Sequence, residues 1–257
     1  MTDRPDPWAN PTLLDRAISV GLWTAGVAWM VPLMTTMMAT ALVVPPWKTN
    51  GLSRLYCRGQ VALTGARWRA VVHPGVDPDT PYIFACNHVN LLDHVTMYNA
   101  TPHFKQGVEL ASHFRIPVYG WFMKQRGTIG VSAGRRGIVE LRDGIARELG
   151  AGRSILFFPE GTRTRDGRVA PFKRGIFRIA QDLGAPIVPT TVTGMYDVLR
   201  AESAIFRPGK RVTVFCDAPV PTAGLSRDEV PDLARRVHAI VSARVDAHFE
   251  ERDGPAG

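Results

Sequence analysis

Cysteine is scarce in this 257-residue chain, and the three cysteines, Cys57, Cys86 and Cys216, lie far apart. They form no C-x-x-C pair, so neither a disulfide framework nor a zinc site is supported, and no metal is expected. Low-complexity tracts and long internal repeats are also absent, which argues against disorder beyond the ends and against a repeat architecture. Hydrophobic residues make up 45% of the chain, enough for one sizeable domain with a small appendage.

Acidic residues are in the minority, because Lys and Arg number 31 against 23 for Asp and Glu, and the formal net charge is +8. A basic chain of this kind suits nucleic acid, an anionic membrane or a phosphorylated substrate. The basic residues carry no interleaved aromatic run of the kind that stacks on nucleic-acid bases, so no nucleic-acid partner is expected.

Charge is missing altogether from residue 17 to residue 47, a run of 31 residues. About 20 apolar residues are enough to cross a bilayer as a helix, and Pro32 divides this run. Two arrangements follow: a single kinked transmembrane helix, or two short helices in a hairpin that dips into one leaflet. The run is too long for a cleaved signal peptide, and its N-terminal flank is not clearly basic.

Basic residues follow the uncharged run, and no acid occurs before Asp77. The positive-inside rule then places the bulk of the chain on the cytoplasmic face of a membrane, with the basic stretch near anionic headgroups. We therefore expect residues 1–50 to be a membrane-anchoring segment. The residues concerned are Lys48, Arg54, Arg58, Arg67 and Arg69.

Strand-like and helix-like segments alternate through the remainder, which predicts an α/β fold: a mixed, mostly parallel central sheet flanked by helices. Residues 51–225 are expected to form the main domain, and residues 226–257 an amphipathic helix and tail that begins at a Ser226/Glu229 capping box. The predicted strands are 82–86, 127–131, 154–158, 186–192 and 211–216. The predicted helices are 90–100, 115–125, 135–149, 172–183 and 226–249.

The stretch "CNHVNLLDHV", residues 86–95, places titratable side chains directly after a buried strand. Active sites of α/β folds favour this edge of the sheet, and a carboxylate on one imidazole nitrogen makes the other nitrogen a better base. His88 and Asp93 are therefore candidates for a general base and its orienting acid. They are too far apart to meet on one ideal helix, so the pairing requires His88 to lie in a loop or first turn. The alternative is a capped helix start at which His88 only packs.

The segment "FFPEGTRTRDG", residues 157–167, follows another predicted strand. Backbone N–H groups, a hydroxyl and a guanidinium close together suit a phosphate group. We expect Gly161, Thr162 and Arg163 to bind it, with Lys173 or Arg174 adding charge. Glu160 is expected to accept from a substrate hydroxyl or to hold Arg163.

The stretch "GVSAG", residues 130–134, matches the G-x-S-x-G pattern of a nucleophile elbow between a strand and a helix. It raises an alternative, a membrane-tethered serine esterase with Ser132 as nucleophile, Asp197 or Asp217 as acid and His238 as base. No HGGG-type oxyanion segment precedes it, and His238 falls within the predicted C-terminal helix. A non-catalytic membrane-binding protein is a further alternative.

In combination, these motifs resemble the glycerolipid acyltransferase family that includes the 1-acylglycerol-3-phosphate acyltransferases. The likeness covers about residues 80–220. It rests on "NHVNLLD" for an NHxxxxD block, on an unchanged "FPEGTRT", and on "PFKRGIFRIAQDLGAPIVP" as the run that ends in the fourth block. Each motif alone is modestly specific, whereas the ordered set is strongly so.

The second block of that family departs from the usual pattern here. "IPVYGWFMKQRGTIGVSAGRR" keeps Pro117, Gly120 and the "GTIGV" strand, but Ser132 and Ala133 replace an Asp-Arg pair. Arg135 or Arg136 are candidates to supply the missing charge. A basic residue usual before this block is absent, with Ser112 or His113 near its place. In the family this block helps to shape the acceptor site, so a different lyso-lipid is an alternative acceptor.

The resemblance implies direct acyl transfer from acyl-CoA or acyl carrier protein, as a co-substrate, to the hydroxyl of a lysophospholipid, with no cofactor. His88 would take the hydroxyl proton, Asp93 would orient the imidazole, and residues 160–163 would bind the glycerol phosphate. The expected acceptor is 1-acylglycerol 3-phosphate and the expected product phosphatidic acid. Membrane lipid, donor and acceptor are thus the expected partners.

Overall fold

The protein, seen in a computed structural model, is described for Trp8 and residues 10–254. The extreme ends of the predicted anchoring segment and of the predicted C-terminal tail, residues 1–7, 9 and 255–257, lie outside the described residues.

A seven-stranded sheet forms the centre of the domain, in the order β1-β7-β6-β2-β5-β3-β4. Five of its neighbouring pairs are parallel and only β6–β7 is antiparallel, which confirms the mixed, mostly parallel sheet expected from the sequence. The strands are β1 Arg67–Val72, β2 Ile83–Cys86, β3 Lys105–Leu110, β4 Ile129–Val131, β5 Ser154–Phe157, β6 Ile187–Thr193 and β7 Arg211–Cys216.

Helices cover both faces of this sheet. They are α1 Leu13–Thr40, α2 Asn50–Leu63, α3 Asp93–Tyr98, α4 Tyr119–Arg126, α5 Gly134–Gly150, α6 Gly175–Leu183, α7 Met195–Val198 and α8 Val230–Asp253. A 3-10 turn, Ala111–Arg115, joins β3 to the α4 region, and another, Arg227–Glu229, precedes α8. The Ser226/Glu229 capping box is present, but it caps this second 3-10 turn, so α8 starts later than expected.

The buried residues form two cores because successive side chains of a strand point to opposite faces. In β2, Phe84 and Cys86 join one cluster, which also holds Cys57 and Val61 of α2. Ile83 and Ala85 join the other, under α5, α6 and α8. The central strand β2 is thus buried on both sides, and the segment that follows it emerges at a sheet edge that both layers support.

Helix α1 is continuous through Pro32, so the uncharged run does not fold into two short helices divided at that proline. Among the described residues it is the one helix long and apolar enough to cross a membrane. It nevertheless packs on α2: the Trp29 indole N–H donates to the Tyr56 carbonyl at 3.1 Å, and the Gln60 amide donates to the Gly26 carbonyl at 3.0 Å. The hairpin is therefore formed by α1 and α2 together.

Further contacts tie α1 to the main domain. The Trp23 indole N–H donates to the Ala204 carbonyl at 2.8 Å, and the Ser19 hydroxyl accepts from the Phe206 amide at 2.9 Å. From Ser19 to Met37, whose sulfur meets the Ser53 hydroxyl, α1 stays attached over about 27 Å at 1.5 Å per residue. One side of the helix is held by protein along this length.

Candidate active site

His88 and Asp93 meet at the carboxyl end of β2. The His88 Nδ1 atom lies 2.7 Å from Asp93 Oδ2. The contact forms because residues 87–92 are a loop and α3 begins only at Asp93, which is the arrangement the pairing required. Asp93 accepts the Nδ1 hydrogen, so Nε2 is the nitrogen with a free lone pair. Nε2 has no hydrogen-bond partner in the part of the chain that the structure describes.

The Asp93 carboxylate is 1% exposed and is held by the loop that it closes. Besides His88, its Oδ2 atom accepts from the backbone amides of Val89 and Asn90. Burial raises the pKa of Asp93, while the hydrogen bonds from His88 and from these amides oppose that rise. These bonds fix the position of the acid relative to the imidazole.

Two buried asparagines attach the loop to neighbouring segments. The Asn87 amide donates to the Val192 carbonyl at 3.0 Å and its oxygen accepts from the Val192 amide at 2.8 Å. The Asn90 amide donates to the Leu199 carbonyl at 2.6 Å, and its oxygen accepts from the Leu92 amide.

Phe158 and Glu160 hold the segment of residues 157–167 against the loop of residues 87–92. The His88 ring stacks on Phe158 with centroids 4.3 Å apart. Glu160 is 4% exposed, and its two oxygens accept from the backbone amides of His88 at 2.6 Å and of Ala170 at 2.8 Å. The Thr164 amide donates to the His88 carbonyl at 2.8 Å. In the structure Glu160 therefore braces the two loops, and its predicted contact with a substrate hydroxyl stays a prediction.

The remaining predicted binding residues are exposed beside this brace: Gly161, Thr162, Arg163 and Lys173. Gly161 adopts φ +71°, a conformation that favours glycine, and a Cβ there would meet the Lys173 ammonium at 2.5 Å. Neither Arg163 nor Lys173 forms an ion pair with a carboxylate of the described residues. Two cations thus stand unpaired next to backbone and hydroxyl groups, as an anion site requires.

Comparisons with known proteins show what the chain is similar to. A family model described as "Acyltransferase" matches residues 69–193, which contain every site residue named above. Over these residues the chain is similar to this acyltransferase family. Three curated relatives illustrate the similarity. The first is "1-acyl-sn-glycerol-3-phosphate acyltransferase BAT2, chloroplastic" of Brassica napus, which is 38% identical over 61% of this chain and 45% of its own length. "1-acyl-sn-glycerol-3-phosphate acyltransferase" of Saccharomyces cerevisiae is 30% identical over 61% and 53%, and the alpha form of Ovis aries is 30% identical over 69% and 62%.

The chain spans about half the length of the first curated relatives it matches, with coverage of 45%, 48% and 40%. A solved structure, that of the 1-acyl-sn-glycerophosphate acyltransferase PlsC from Thermotoga maritima, superposes with a TM-score of 0.76 at 19% identity. That superposition covers 95% of this chain and 98% of the other. At that identity the likeness supports the fold, which is the fold predicted from the sequence.

The esterase arrangement is not assembled in the described residues. Ser132 is exposed between β4 and α5, whereas His238 lies on α8 with its ring against Phe172. Asp197 pairs with His248 and Arg252, and Asp217 pairs with Arg244. No histidine of the described residues contacts Ser132, so a Ser132 nucleophile has no base.

The unusual second block lies at the carboxyl ends of β3 and β4. Arg135 and Arg136 are exposed at the start of α5, and Arg136 pairs with Glu140 at 2.8 Å. His113 is held by Glu109 at 2.9 Å. Because β3 and β4 run parallel to β2 and β5, this block shares the sheet edge of His88.

Proposed function

We propose that this protein is a membrane-bound acyltransferase that moves a fatty acyl group from acyl-CoA or acyl carrier protein to the hydroxyl of 1-acylglycerol 3-phosphate. The observation that carries the proposal is the His88–Asp93 pair, whose free imidazole nitrogen faces away from its buried acid. The names of the curated relatives, which are 1-acyl-sn-glycerol-3-phosphate acyltransferases, support the choice of acceptor.

The proposed chemistry is direct transfer. His88 Nε2 takes the proton of the acceptor hydroxyl as its oxygen attacks the thioester carbonyl, and Asp93 stabilises the imidazolium that forms. The carbon–sulfur bond then breaks, and the thiolate leaves and takes the proton from His88. One ester bond replaces one thioester bond, and no acyl-enzyme is formed. Arg163 and Lys173, with Gly161 and Thr162, hold the acceptor phosphate.

The proposed mode of membrane attachment follows from α1. Its attachment to α2 and to the loop at Ala204 leaves the helix lying along the domain, so we place it in one leaflet and not across the bilayer. Apolar side chains on its other side are exposed and suited to lipid. They are Leu13, Leu14, Val20, Val27 and Val31. The cytoplasmic face remains a prediction, made from the basic residues that follow the run.

The test is acyl transfer by the purified full-length protein in vesicles, with labelled acyl-CoA or acyl carrier protein and a panel of lyso-lipids, read by product mass. We expect His88→Gln to lower turnover about 100- to 10,000-fold, the usual contribution of a general base. His94→Gln is the matched control, because His94 is the exposed histidine of the same stretch, and it should stay near wild type. Activity of His88→Gln within a few-fold of wild type, or a dead Ser132→Ala variant, would contradict the mechanism. A preference for another lyso-lipid would change the acceptor only.

A further inference from the structure

A second surface beside the active site combines exposed apolar side chains with unpaired cations. Its apolar members come from the end of β3, the approach to α4 and the first turn of α4. We call them the edge surface: Leu110, Ile116, Val118 and Trp121, which are 47% to 66% exposed. Large apolar residues this exposed within one segment, residues 110–121, mark a contact surface more often than chance exposure.

Most of the charge in and beside the edge surface is basic, although Glu109 adjoins it and pairs with His113. Between Glu109 and Glu140 the sequence has no acidic residue and five basic ones, Arg115, Lys124, Arg126, Arg135 and Arg136. Arg136 pairs with Glu140, and Arg126 donates to the Ser53 hydroxyl. Arg115, Lys124 and Arg135 form no ion pair with the described residues. Exposed apolar side chains interspersed in the chain with unpaired cations are the composition that favours an anionic bilayer surface.

The turn that displays Val118 is strained. Val118 has φ 64° and ψ −56°, and the Tyr119 amide donates to the Pro117 carbonyl at 2.7 Å. This is a classic γ-turn, a rare and strained conformation, and a β-branched residue is an outlier at positive φ. Gly120 anchors the turn, since a Cβ there would meet the Phe114 carbonyl oxygen at 2.1 Å. Strain of this kind persists where the surroundings impose it and is concentrated at functional sites.

The edge surface is continuous with the hairpin of α1 and α2. Arg126 of α4 reaches Ser53 of α2 at 2.7 Å, and α1 also packs against α4. The surface lies at the carboxyl end of β3, which is at the sheet edge that carries His88. A bilayer that holds α1 therefore passes close to the edge surface and to the catalytic base.

We propose that the edge surface is a second membrane contact, which seats the catalytic edge on an anionic bilayer while α1 anchors the protein. This inference rests on the proposed function, because an acceptor dissolved in lipid is what makes such seating useful. Its ligand is the headgroup layer of an anionic membrane, with the cations on phosphates and the apolar side chains just below them.

The first test is possible because the three native cysteines, Cys57, Cys86 and Cys216, are buried. A single cysteine introduced at an exposed position can therefore be labelled selectively with an environment-sensitive fluorophore. Ile116→Cys reports on the edge surface. Val72→Cys is the matched control, because Val72 is 37% exposed at the end of β1, which runs antiparallel to β2 and ends at the opposite edge.

With phosphatidylglycerol-containing vesicles we expect a blue shift of the label at residue 116 and none at residue 72. No shift at residue 116, or an equal shift at both positions, would overturn the proposal. A shift at residue 116 that needs no lipid and grows with protein concentration would identify a second copy of the chain as the occupant and overturn it equally.

The second test separates seating from chemistry. The variant Leu110→Asp, at an edge-surface position outside the second block, should lose about tenfold activity on acceptor in anionic vesicles, as expected for withdrawing an apolar side chain from lipid. It should stay within about twofold of wild type on acceptor dispersed in detergent micelles. Val72→Asp should match wild type in both assays.

Equal losses in vesicles and micelles, or no loss in vesicles, would overturn the second membrane contact. A wild-type protein inactive on every acceptor in both forms would instead overturn the proposed function, while the label at residue 116 still reports on the surface. Replacing Arg115 and Arg135 by Gln should lower binding to anionic vesicles about fivefold for each cation removed, and unchanged binding would contradict the electrostatic part.

Discussion

Five positions separate His88 from Asp93, yet their side chains meet because the backbone between them is a loop closed by Asp93 itself. Three donors converge on one carboxylate oxygen, so the acid that orients the imidazole also determines the path of the loop. Replacing Asp93 would therefore alter both the base and the geometry of its loop. At this scale catalytic and structural roles cannot be assigned to different residues.

Glu160 offers a cleaner test, because its oxygens accept only backbone amides in the described structure. Burial raises its pKa to about 7 from an ordinary value of 4.5, against the opposing effect of the Ala170 and His88 amides. Between these two pH values Glu160 is protonated in the folded protein but ionised in the unfolded chain. The free energy of unfolding therefore falls as pH rises from 4.5 to 7. The stabilising contribution of the Glu160 proton is complete only below pH 4.5.

We expect the thermal midpoint of the wild type in detergent to fall across that pH window, and the fall to be smaller in Glu160→Gln. The variant should also be less active at every pH. The amide nitrogen of its new side chain would face a backbone N–H group, whereas the wild-type carboxylate oxygen at that place accepts a hydrogen bond from it. Glu250→Gln, at an exposed position of α8, is the control and should follow the wild-type curve. Parallel curves for wild type and Glu160→Gln would show that Glu160 does not titrate in this range.

The pairing of His88 with Asp93 was predictable from the sequence because both members lie in one short motif. The residues that hold it were not. Asn87 bonds Val192, which is 105 positions away, and the stacking of Phe158 on His88 depends on β2 and β5 being neighbours. Such roles depend on strand order, which a local pattern does not contain.

The interface between α1 and α2 depends on a close approach at Gly59. A Cβ at this position would lie 2.1 Å from the Trp29 indole, whereas a Cβ at Gly51 of the same helix would meet nothing within 4 Å. Gly59→Ala should destabilise the protein by about 1–3 kcal/mol through overpacking. Gly51→Ala should stabilise it by about 0.5–1 kcal/mol, because it removes a flexible residue from a helix.

Thermal unfolding in detergent and limited proteolysis of residues 41–49 would measure the effect of these two substitutions. Faster cleavage of this connection in Gly59→Ala alone is the expected result. Equal behaviour of the two variants would indicate that α1 is not held on α2 in solution.

Several elements escaped prediction for identifiable reasons. Strand β1, "RWRAVV", is an edge strand paired only with β7 and stays partly exposed, so its pattern is not that of a buried strand. Strand β3, "KQGVEL", reads as polar because it begins with Lys105. That lysine is 3% exposed; its ammonium donates to the Tyr98 and Thr101 carbonyls at 2.8 and 3.3 Å, and burial lowers its pKa to about 7.

The net charge of +8 concerns the molecule as a whole. If α1 supplies apolar anchoring and the basic surface supplies attraction to anionic lipid, the two contributions respond differently to salt. Raising ionic strength from about 0.1 M to 1 M shortens the Debye length from about 10 Å to about 3 Å.

We therefore expect salt to remove the preference for anionic over neutral vesicles in a flotation assay and to leave binding to neutral vesicles intact. Release from both kinds of vesicle at high salt would show that α1 does not insert. A preference that survives at 1 M would show that attraction between exposed charges does not cause it.

The attachment of α1 along about 27 Å of the domain also affects how the reaction should be described. Under the proposed function, the catalytic edge stays at one height above the bilayer and meets its acceptor by lateral diffusion. Saturation would then depend on the mole fraction of lysophospholipid in the membrane and hardly on its bulk concentration. Diluting the acceptor with inert lipid would slow the enzyme even when the total amount of acceptor is constant.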